Sequence, residues 1–373
     1  MNKFANGQSV IAELNTLAPK HLAEEGDPIG LQVGNLNKPV KKVMIALDVL
    51  EEVVDEAIET GAELIIAHHP MIYRPLKKID LSMPQGRIIE KLIKNDIAVY
   101  AAHTNLDVAK GGVNDWLAQA LGLEQTEVLK GTREVSLVKL AVYVPEDYAD
   151  TVRVAMSAAG AGHIGQYSHC TFNTTGEGTF KPLEGTKPFI GTQGQIERVK
   201  EIKVETVISE DLVKPVVSSM KKAHPYEEVA YDLYQLENQG ETLGIGKIGR
   251  LAREMSFEQF IQHVKETLDV PSLRAVKGHS GPIRKVAVVG GDGNKFISAA
   301  IMKGADVLVT GDMYYHNAHD AQAAGLSIID PGHNVEKIMK RGLCEYLTDE
   351  MKRKGYATEF FSSEVHTDPF LFF

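Results

Sequence analysis

Three apolar runs in the first third of the chain decide its fold. They are VKKVMIALD (Val40–Asp48), AELIIAHHP (Ala62–Pro70) and IAVYAAHTNLD (Ile97–Asp107), and the helical patterns LEEVVDEAIETG and GRIIEKLIKND separate them. Short apolar runs that alternate with helices are typical of βαβ units, whose parallel strands are buried on both faces. We therefore predict a parallel sheet here. Gly61 should end the first helix, because glycine readily adopts the left-handed conformation of a helix C-cap.

The last third of the chain repeats this alternation. Its apolar runs are IRKVAVVGGDG (Ile283–Gly293), DVLVTGD (Asp306–Asp312) and LSIIDPGH (Leu326–His333), again with helical patterns between them. The same argument predicts a second α/β half.

Between the two halves the order of elements changes. Residues 129–239 follow the order strand, helix, strand, strand, helix, strand, which is typical of a ferredoxin-like sandwich. Polar, glycine-containing stretches at 130–131 and 238–240 mark its expected limits. We predict an α/β protein in which residues 1–128 and 240–373 form a metal-binding core and residues 129–239 form an inserted domain.

Composition excludes several classes of protein. The 373 residues carry 40 Lys and Arg against 50 Asp and Glu, and a net charge of −10 is the wrong sign for a non-specific nucleic-acid binder. No stretch approaches the roughly 18 apolar residues of a membrane span, and the N-terminus lacks a secretion signal, so we expect a cytoplasmic protein. With only two cysteines, any metal site must use histidines and carboxylates.

The pair His68-His69 follows an apolar run and precedes Pro70. Neighbouring residues of a strand point to opposite faces, so both rings can share one crevice only where the strand ends. The carboxyl ends of parallel strands are also where open α/β sheets bind ligands. The pair alone is more simply explained by one core histidine and one solvated histidine.

Two further strand ends carry the same residue types. His103 and Asp107 follow the third apolar run, and His333 and Glu336 follow the run LSIID. Each has a simpler explanation, namely a helix-capping turn at 105–107 and a helix N-terminal carboxylate at Glu336. Taken together, however, the three clusters have the histidines and carboxylates that a pair of zinc, iron or manganese ions needs.

Two other features have two interpretations each. Gly290–Asn294 could hold a phosphate with its backbone N–H groups or could simply form a tight turn. His316, in TGDMYYHNAHDA (Thr310–Ala321), could face the site or lie on a solvated helix.

The motifs as a set resemble those of the Nif-three-like family, whose members are called GTP cyclohydrolase 1 type 2 homologues or dinuclear-metal-centre proteins. The motifs that carry the resemblance are DPIGLQVG, IIAHHP, AAHTNLD, GGDG, VTGDMYYHNAHDA, PGHNVEK and the terminal DPFLFF. HPYEEVAYDLY (His224–Tyr234) resembles the strand that ends the PII-like or CutA-like insert of longer bacterial members. The resemblance also implies a homohexamer.

The resemblance implies two divalent metal ions per subunit, zinc first, with iron or manganese as alternatives. His68, Asp107 and Glu336 would hold one ion, and His69, His333 and Glu336 the other. His103 would lie nearby.

Two functions follow as expectations. The first is a metal-dependent hydrolase that acts on a small molecule such as a nucleotide or phosphate ester, GTP by the family's name, with His103 or His316 as the acid or base. The second is a metal-loaded regulatory or scaffold protein that binds a small ligand or a protein partner through the inserted domain.

Overall fold

The fold comprises fifteen strands and eleven α-helices within residues 3–371, the part of the chain that the computed structural model describes. The last two residues of the DPFLFF motif lie outside this range. The first elements are β1 (Ala5–Asn6), α1 (Gly7–Leu17), β2 (Gly30–Val33), β3 (Pro39–Val40), β4 (Lys42–Ala46), α2 (Glu51–Thr60), β5 (Leu64–Ala67), α3 (Pro84–Lys94), β6 (Ala98–Ala101), α4 (Thr104–Val108) and α5 (Val113–Ala120). The middle elements are β7 (Leu123–Pro145), α6 (Ala149–Ala158), β8 (Thr171–Phe180), β9 (Glu197–Ser209), α7 (Val213–Ala223) and β10 (Tyr231–Met255). The last elements are α8 (Phe257–Thr267), β11 (Arg274–Val276), β12 (Ile283–Asp292), α9 (Ile297–Met302), β13 (Val307–Gly311), α10 (Tyr315–Ala323), β14 (Ser327–Asp330), α11 (Ile338–Arg353) and β15 (Glu359–Ser362).

The predicted α/β fold class is confirmed. β4, β5 and β6 form a parallel sheet, β15 adds to it in parallel beside β4, and β2 adds to it antiparallel beside β6. The pairs Ala46–Ala67 and Ala67–Ala101 are in register, so the three central strands end at the same level. Gly61 adopts φ 72° and ends α2, as predicted.

Apolar side chains cover both faces of this sheet. Met44, Ile65 and Val99 pack with the apolar faces of α2 and α3, whereas Val43 and Ile45 point into the larger core cluster that also holds residues of α1 and α11. Burial on both faces explains why these strands show continuous apolar runs rather than alternation.

The second half repeats the arrangement with three parallel strands at its centre. β12, β13 and β14 are parallel, while β11 pairs antiparallel with β14 and β10 antiparallel with β12. The carboxyl ends of the parallel strands lead into Asp292, Asp312 and the stretch that begins at Asp330. Polar side chains therefore follow the strands in this half too.

The chain divides into two compact units, Met1–Thr132 with Leu243–Phe373 and Arg133–Thr242. The glycine-containing stretches at 130–131 and 238–240, which the sequence marks as junctions, lie inside the continuous strands β7 and β10. Gly240 is needed because a Cβ there would lie 2.1 Å from the carbonyl oxygen of Val135. Gly240 therefore reflects close packing of the backbones of β7 and β10 within the sheet, not a flexible linker.

The unit Arg133–Thr242, called the insert below, has the order β7, α6, β8, β9, α7, β10 and the strand order β10-β7-β9-β8. Val142 and Val204 of its sheet pack with Met156 of α6 and Met220 of α7. This is the ferredoxin-like βαββαβ sandwich that the sequence predicts.

No helix within residues 3–371 has both the length and the apolar composition needed to cross a bilayer.

Candidate metal centre

The polar residues that follow three strands meet in one cluster. His68 and His69 come directly after β5, His103 follows β6, and α4 carries Asp107. His333 and Glu336 lie on a 3₁₀ turn that follows β14, where the sequence suggests the first turn of a helix. The cluster thus draws ligand-type side chains from both halves of the core, and the parallel strands fix their positions.

The carboxylate of Glu336 lies at the centre of the cluster. Its Oε2 atom lies 3.1 Å from Nε2 of His69, 3.2 Å from Nε2 of His333 and 3.7 Å from Nε2 of His68. At the more buried end of the cluster, Nε2 of His68 lies 3.6 Å from Oδ1 of Asp107. One carboxylate is therefore shared by three imidazoles.

In every histidine of the cluster, the ring nitrogen Nδ1 contacts an oxygen atom. Nδ1 of His68 lies 2.9 Å from the carbonyl oxygen of Ala102, which can only accept a hydrogen bond. The other three Nδ1 atoms contact carboxylates, those of His69 with Asp48 at 2.7 Å, His103 with Asp27 at 2.9 Å and His333 with Asp312 at 2.6 Å. Acceptors at Nδ1 leave Nε2 available, and such partners are typical of metal-binding histidines.

Two buried atoms of the cluster lack a hydrogen-bond partner. They are Nε2 of His68 and Oδ1 of Asp107. Because His68 donates from Nδ1, its neutral form presents a lone pair at Nε2 toward two carboxylates, which is unfavourable unless a cation lies between them. A divalent cation would satisfy both atoms, so these side chains fit a metal ion.

Three sets of side chains could each hold a metal ion. They are His68, Asp107 and Glu336; His69, His333 and Glu336; and His68, His69 and His103, with the ligand atoms of each set within 4.8 Å of one another. The first two sets share only Glu336. A carboxylate common to two ligand sets can bridge a pair of metal ions.

Electrostatics without a metal ion favour protonated histidines. Burial disfavours the charged form of His69, yet hydrogen bonds with Asp48 and Glu336 raise its pKa to about 10. The hydrogen bond with Glu336 likewise raises the pKa of His333 to about 9. Burial raises the pKa of Asp107 to about 6, whereas the surrounding imidazoles hold the pKa of Glu336 well below its usual range despite its burial. A divalent cation would have to displace these protons.

Gly290 and Gly291 lie against the shared carboxylate. A Cβ at Gly290 would lie 2.9 Å from Oε1 of Glu336, and one at Gly291 would lie 2.8 Å from it. Gly291 also has φ +58°, a conformation that side-chain-bearing residues rarely adopt. The two glycines therefore have a function in packing Glu336, which accounts for them without a bound phosphate.

The cluster is buried on one side and open on the other. Side-chain exposure is 0% for His68 and 5% for Glu336 but rises to 23% for His103 and 40% for His333. A small molecule could reach the cluster from the side of His103 and His333.

Comparisons with known proteins agree with this arrangement. The profile of the family described as Duf34/NIF3 (NGG1p interacting factor 3) matches residues 5–369. The chain belongs to the Duf34/NIF3 family. Two bacterial relatives are each named GTP cyclohydrolase 1 type 2 homolog. The protein from Halalkalibacterium halodurans is 59% identical to this chain, and the match covers 99% of this chain and 100% of the relative. The protein from Bacillus subtilis is 55% identical, and the match covers 100% of both chains.

Solved structures of NIF3 relatives have the same fold. A Bacillus cereus protein related to NIF3 is 58% identical and superposes with a TM-score of 0.94 over 100% of both chains. A Staphylococcus aureus protein is 31% identical, with a TM-score of 0.75 over 99% of both chains.

The structure brings together most, but not all, of the residues singled out from the sequence of this NIF3 protein. His68, His69, His103, Asp107, His333 and Glu336 all belong to the sets that could hold a metal ion, whereas His316 does not. His316 is exposed on α10, and its ring contacts Tyr315 at a centroid distance of 5.4 Å. The acid or base role expected of His316 stays a prediction.

Sequence reasoning gave no role to the carboxylates that hold the histidines. Asp48 follows β4 at the same sheet edge as His69, so the rule that located the histidines could also have found it. Asp312 follows β13 with φ +54°, an uncommon conformation that Asp tolerates and that here accompanies its contact with His333. Asp27 lies in an irregular segment, and its place in the motif DPIGLQVG does not reveal that it contacts His103.

Proposed function

We propose that this cluster binds two divalent metal ions per subunit. His68, Asp107 and Glu336 would hold one ion and His69, His333 and Glu336 the other. Imidazole and carboxylate ligands suit zinc first, with iron or manganese as alternatives. The proposal is supported by the two unpartnered buried atoms of His68 and Asp107 and by the acceptors at Nδ1 of every histidine.

We further propose that the protein is a metal-dependent hydrolase that acts on a small molecule such as a nucleotide or phosphate ester. The observation that carries this proposal is the position of Glu336 Oε2 among three imidazoles, since a shared carboxylate is typical of two-metal hydrolases. When bound, such ions act as Lewis acids and lower the pKa of water. The name of the relatives makes GTP the first substrate to examine.

His103 is the residue proposed to move a proton. Its Nδ1 contacts Asp27, whose second oxygen accepts the backbone N–H of Thr104 at 3.1 Å, so the carboxylate is held and in turn orients the ring. The ring lies 5.2 Å from that of His68 and 5.7 Å from that of His69, measured between centroids. At 23% exposure it stands between the buried ligands and solvent, where it could reach a bound substrate.

A turnover screen tests the hydrolase proposal. Purified protein, metal-free protein and the variant Glu336→Gln are each incubated with GTP and with a panel of phosphate esters. Opening of the guanine ring is followed by absorbance and ester cleavage by phosphate release. Turnover that depends on added metal and disappears in Glu336→Gln supports the proposal, whereas no turnover by the metal-loaded protein on any of these compounds contradicts it for these substrate classes.

A metal-loaded regulatory or scaffold protein is the second candidate function. We propose that the insert is a PII-like or CutA-like domain, on the basis of its βαββαβ order and strand order β10-β7-β9-β8. The observation that favours this candidate is a cavity that lies within the insert. Metal binding without turnover, together with ligand binding by the insert, is the result that distinguishes it from the hydrolase.

We also propose a cytoplasmic homohexamer, as the resemblance to the family implies. Light scattering of the purified protein tests the assembly, since a hexamer has six times the mass of the 40.9 kDa chain. The net charge of −10 disfavours nucleic acid as a partner.

A further inference from the structure

The insert contains a cavity of about 610 Å³ that only its own residues line. Tyr143 of β7 and Lys203 of β9 lie side by side in register on its floor. Their neighbours Val142 and Val204 pack toward the helices, so the floor lies on the opposite face of the sheet. A volume of this size fits a small organic molecule.

Three aromatic rings from different segments form one wall of the cavity. Phe180 ends β8, whereas Phe189 and Tyr226 lie in loops. The ring centroids of Phe180 and Tyr226 are 5.7 Å apart, and those of Phe189 and Tyr226 are 6.4 Å apart. Phe189, whose ring also contacts that of Tyr148 at 5.4 Å, is 49% exposed, and none of the three rings belongs to the apolar core of the insert. The faces of such rings attract cations.

A buried carboxylate lies beside these rings. Glu201 is only 8% exposed, and its Oε1 accepts a hydrogen bond of 3.0 Å from the hydroxyl of Tyr226. Its Oε2 lies where a Cβ of Gly178 would be, at 2.1 Å, so the glycine makes room for the carboxylate. No Lys or Arg within residues 3–371 forms an ion pair with Glu201. A buried carboxylate without a counter-charge is unfavourable, so the site gains from a cationic ligand.

Acidic side chains outnumber basic ones in the lining of the cavity. Four glutamates and one lysine line it. Lys203 is paired with Glu205 at 3.2 Å and Glu177 with Arg198 at 2.7 Å, so within residues 3–371 the unpaired charge is carried by Glu201, Glu227 and Glu228. The cavity therefore repels anions such as nucleotides and attracts cations.

We propose that the insert cavity binds a small organic cation, an amine or guanidinium carried on an apolar body, with its charge at Glu201 and its body against Phe180, Phe189 and Tyr226. The carboxylate gives the site its charge preference and the rings give it cation–π and apolar contact. None of these residues belongs to the candidate metal centre, so the proposal stands or falls independently of the hydrolase.

Three probes with the same phenyl body test the proposal, namely phenethylammonium, neutral 2-phenylethanol and anionic phenylacetate. Binding to the full-length protein is measured by isothermal titration calorimetry and by saturation-transfer NMR. We expect the cation alone to bind, with a Kd below about 1 mM. Equal binding of the neutral or anionic probe, or no binding of the cation up to about 10 mM, overturns the proposal.

Two variants and a control locate the binding. Glu201→Gln keeps the shape and the acceptor for Tyr226 but removes the charge, so we expect the cation to bind at least about tenfold more weakly. Phe189→Leu keeps apolar volume but removes a ring, and should weaken cation binding severalfold. The control Glu210→Gln changes an exposed glutamate of the insert outside the cavity and should leave binding unchanged. Unchanged affinity in a Glu201→Gln protein with wild-type melting temperature overturns the assignment.

Discussion

The Nδ1 atom of His69 lies 2.7 Å from Oδ1 of Asp48, a contact that joins the ends of two neighbouring parallel strands. Burial alone would raise the pKa of Asp48, but its hydrogen bonds with His69 and Thr367 hold that pKa below the usual value, so the ionised carboxylate accepts the Nδ1 proton. The same ring then directs Nε2 toward Glu336. The sheet edge thus fixes the orientation and the tautomer of a candidate ligand before any metal ion binds.

Asp48→Asn tests the importance of this contact. The variant keeps a side chain of the same size but removes the negative charge that orients His69 and increases its basicity. We expect metal affinity to fall by about 10-fold to 100-fold, measured by competition with a chromophoric chelator. Asp349→Asn, at an exposed position of α11, is the matched control. Equal affinity in both variants would show that the contact is dispensable.

Gly291→Ala tests the packing of the shared carboxylate. The new Cβ would lie 2.8 Å from Oε1 of Glu336 and 3.2 Å from Nε2 of His333, so it should displace both side chains although every candidate ligand remains. We expect metal content to fall. Gly325→Ala is a strict control because Gly325 also has positive φ, +80°, but faces open space. If both variants retain full metal content, close packing at Gly291 does not position the site.

Metal uptake should release protons and strengthen as pH rises. Burial opposes the charged form of His69, but its contacts with Asp48 and Glu336 raise its pKa to about 10. The contacts of His333 with Glu336 and Asp312 raise the pKa of His333 to about 9. Both rings are therefore protonated in the metal-free protein at neutral pH and must lose a proton to bind. Below pH 9 the apparent affinity should increase with pH, and calorimetry in buffers of different ionisation enthalpy should detect the released protons. An affinity that does not change with pH contradicts this account.

His103 and His316 are distinguished by substitution. Under the hydrolase proposal, His103→Gln should lower kcat by about 10²-fold to 10⁴-fold while metal content stays at the wild-type value. His316→Gln should leave kcat close to wild type, since His316 is exposed and outside the cluster. Loss of metal in His103→Gln would instead make His103 a ligand, and loss of turnover in His316→Gln would restore the role first expected for it.

The sequence predicts the positions of the candidate ligands because they obey one rule. His68, His103 and His333 each follow a strand, and parallel strands bring their carboxyl ends to one edge. Local patterns could not reveal β15, because it pairs with β4 across more than 300 residues of sequence, at Glu359 with Lys42. The functions of Gly290 and Gly291 likewise depend on where Glu336 arrives in space, and a tight turn would give the same sequence.

The inserted domain shows a different limit of sequence reasoning. Its βαββαβ order follows from alternating local patterns, but the cavity requires Phe180, Phe189 and Tyr226 to meet from separate segments. Glu201 reads as an ordinary polar strand residue between Lys200 and Ile202. Only the fold shows that its carboxylate is buried beside the hydroxyl of Tyr226.

The most direct test of the central claim is the metal content of the purified protein, measured by elemental analysis for the wild type and for Glu336→Gln. Glu345→Gln, at an exposed position of α11, serves as the control. The account predicts two ions per chain in the wild type and in the control, and a fall below one in Glu336→Gln. A wild-type protein that holds no metal and takes up none on reconstitution, or a Glu336→Gln variant that retains two ions, contradicts it.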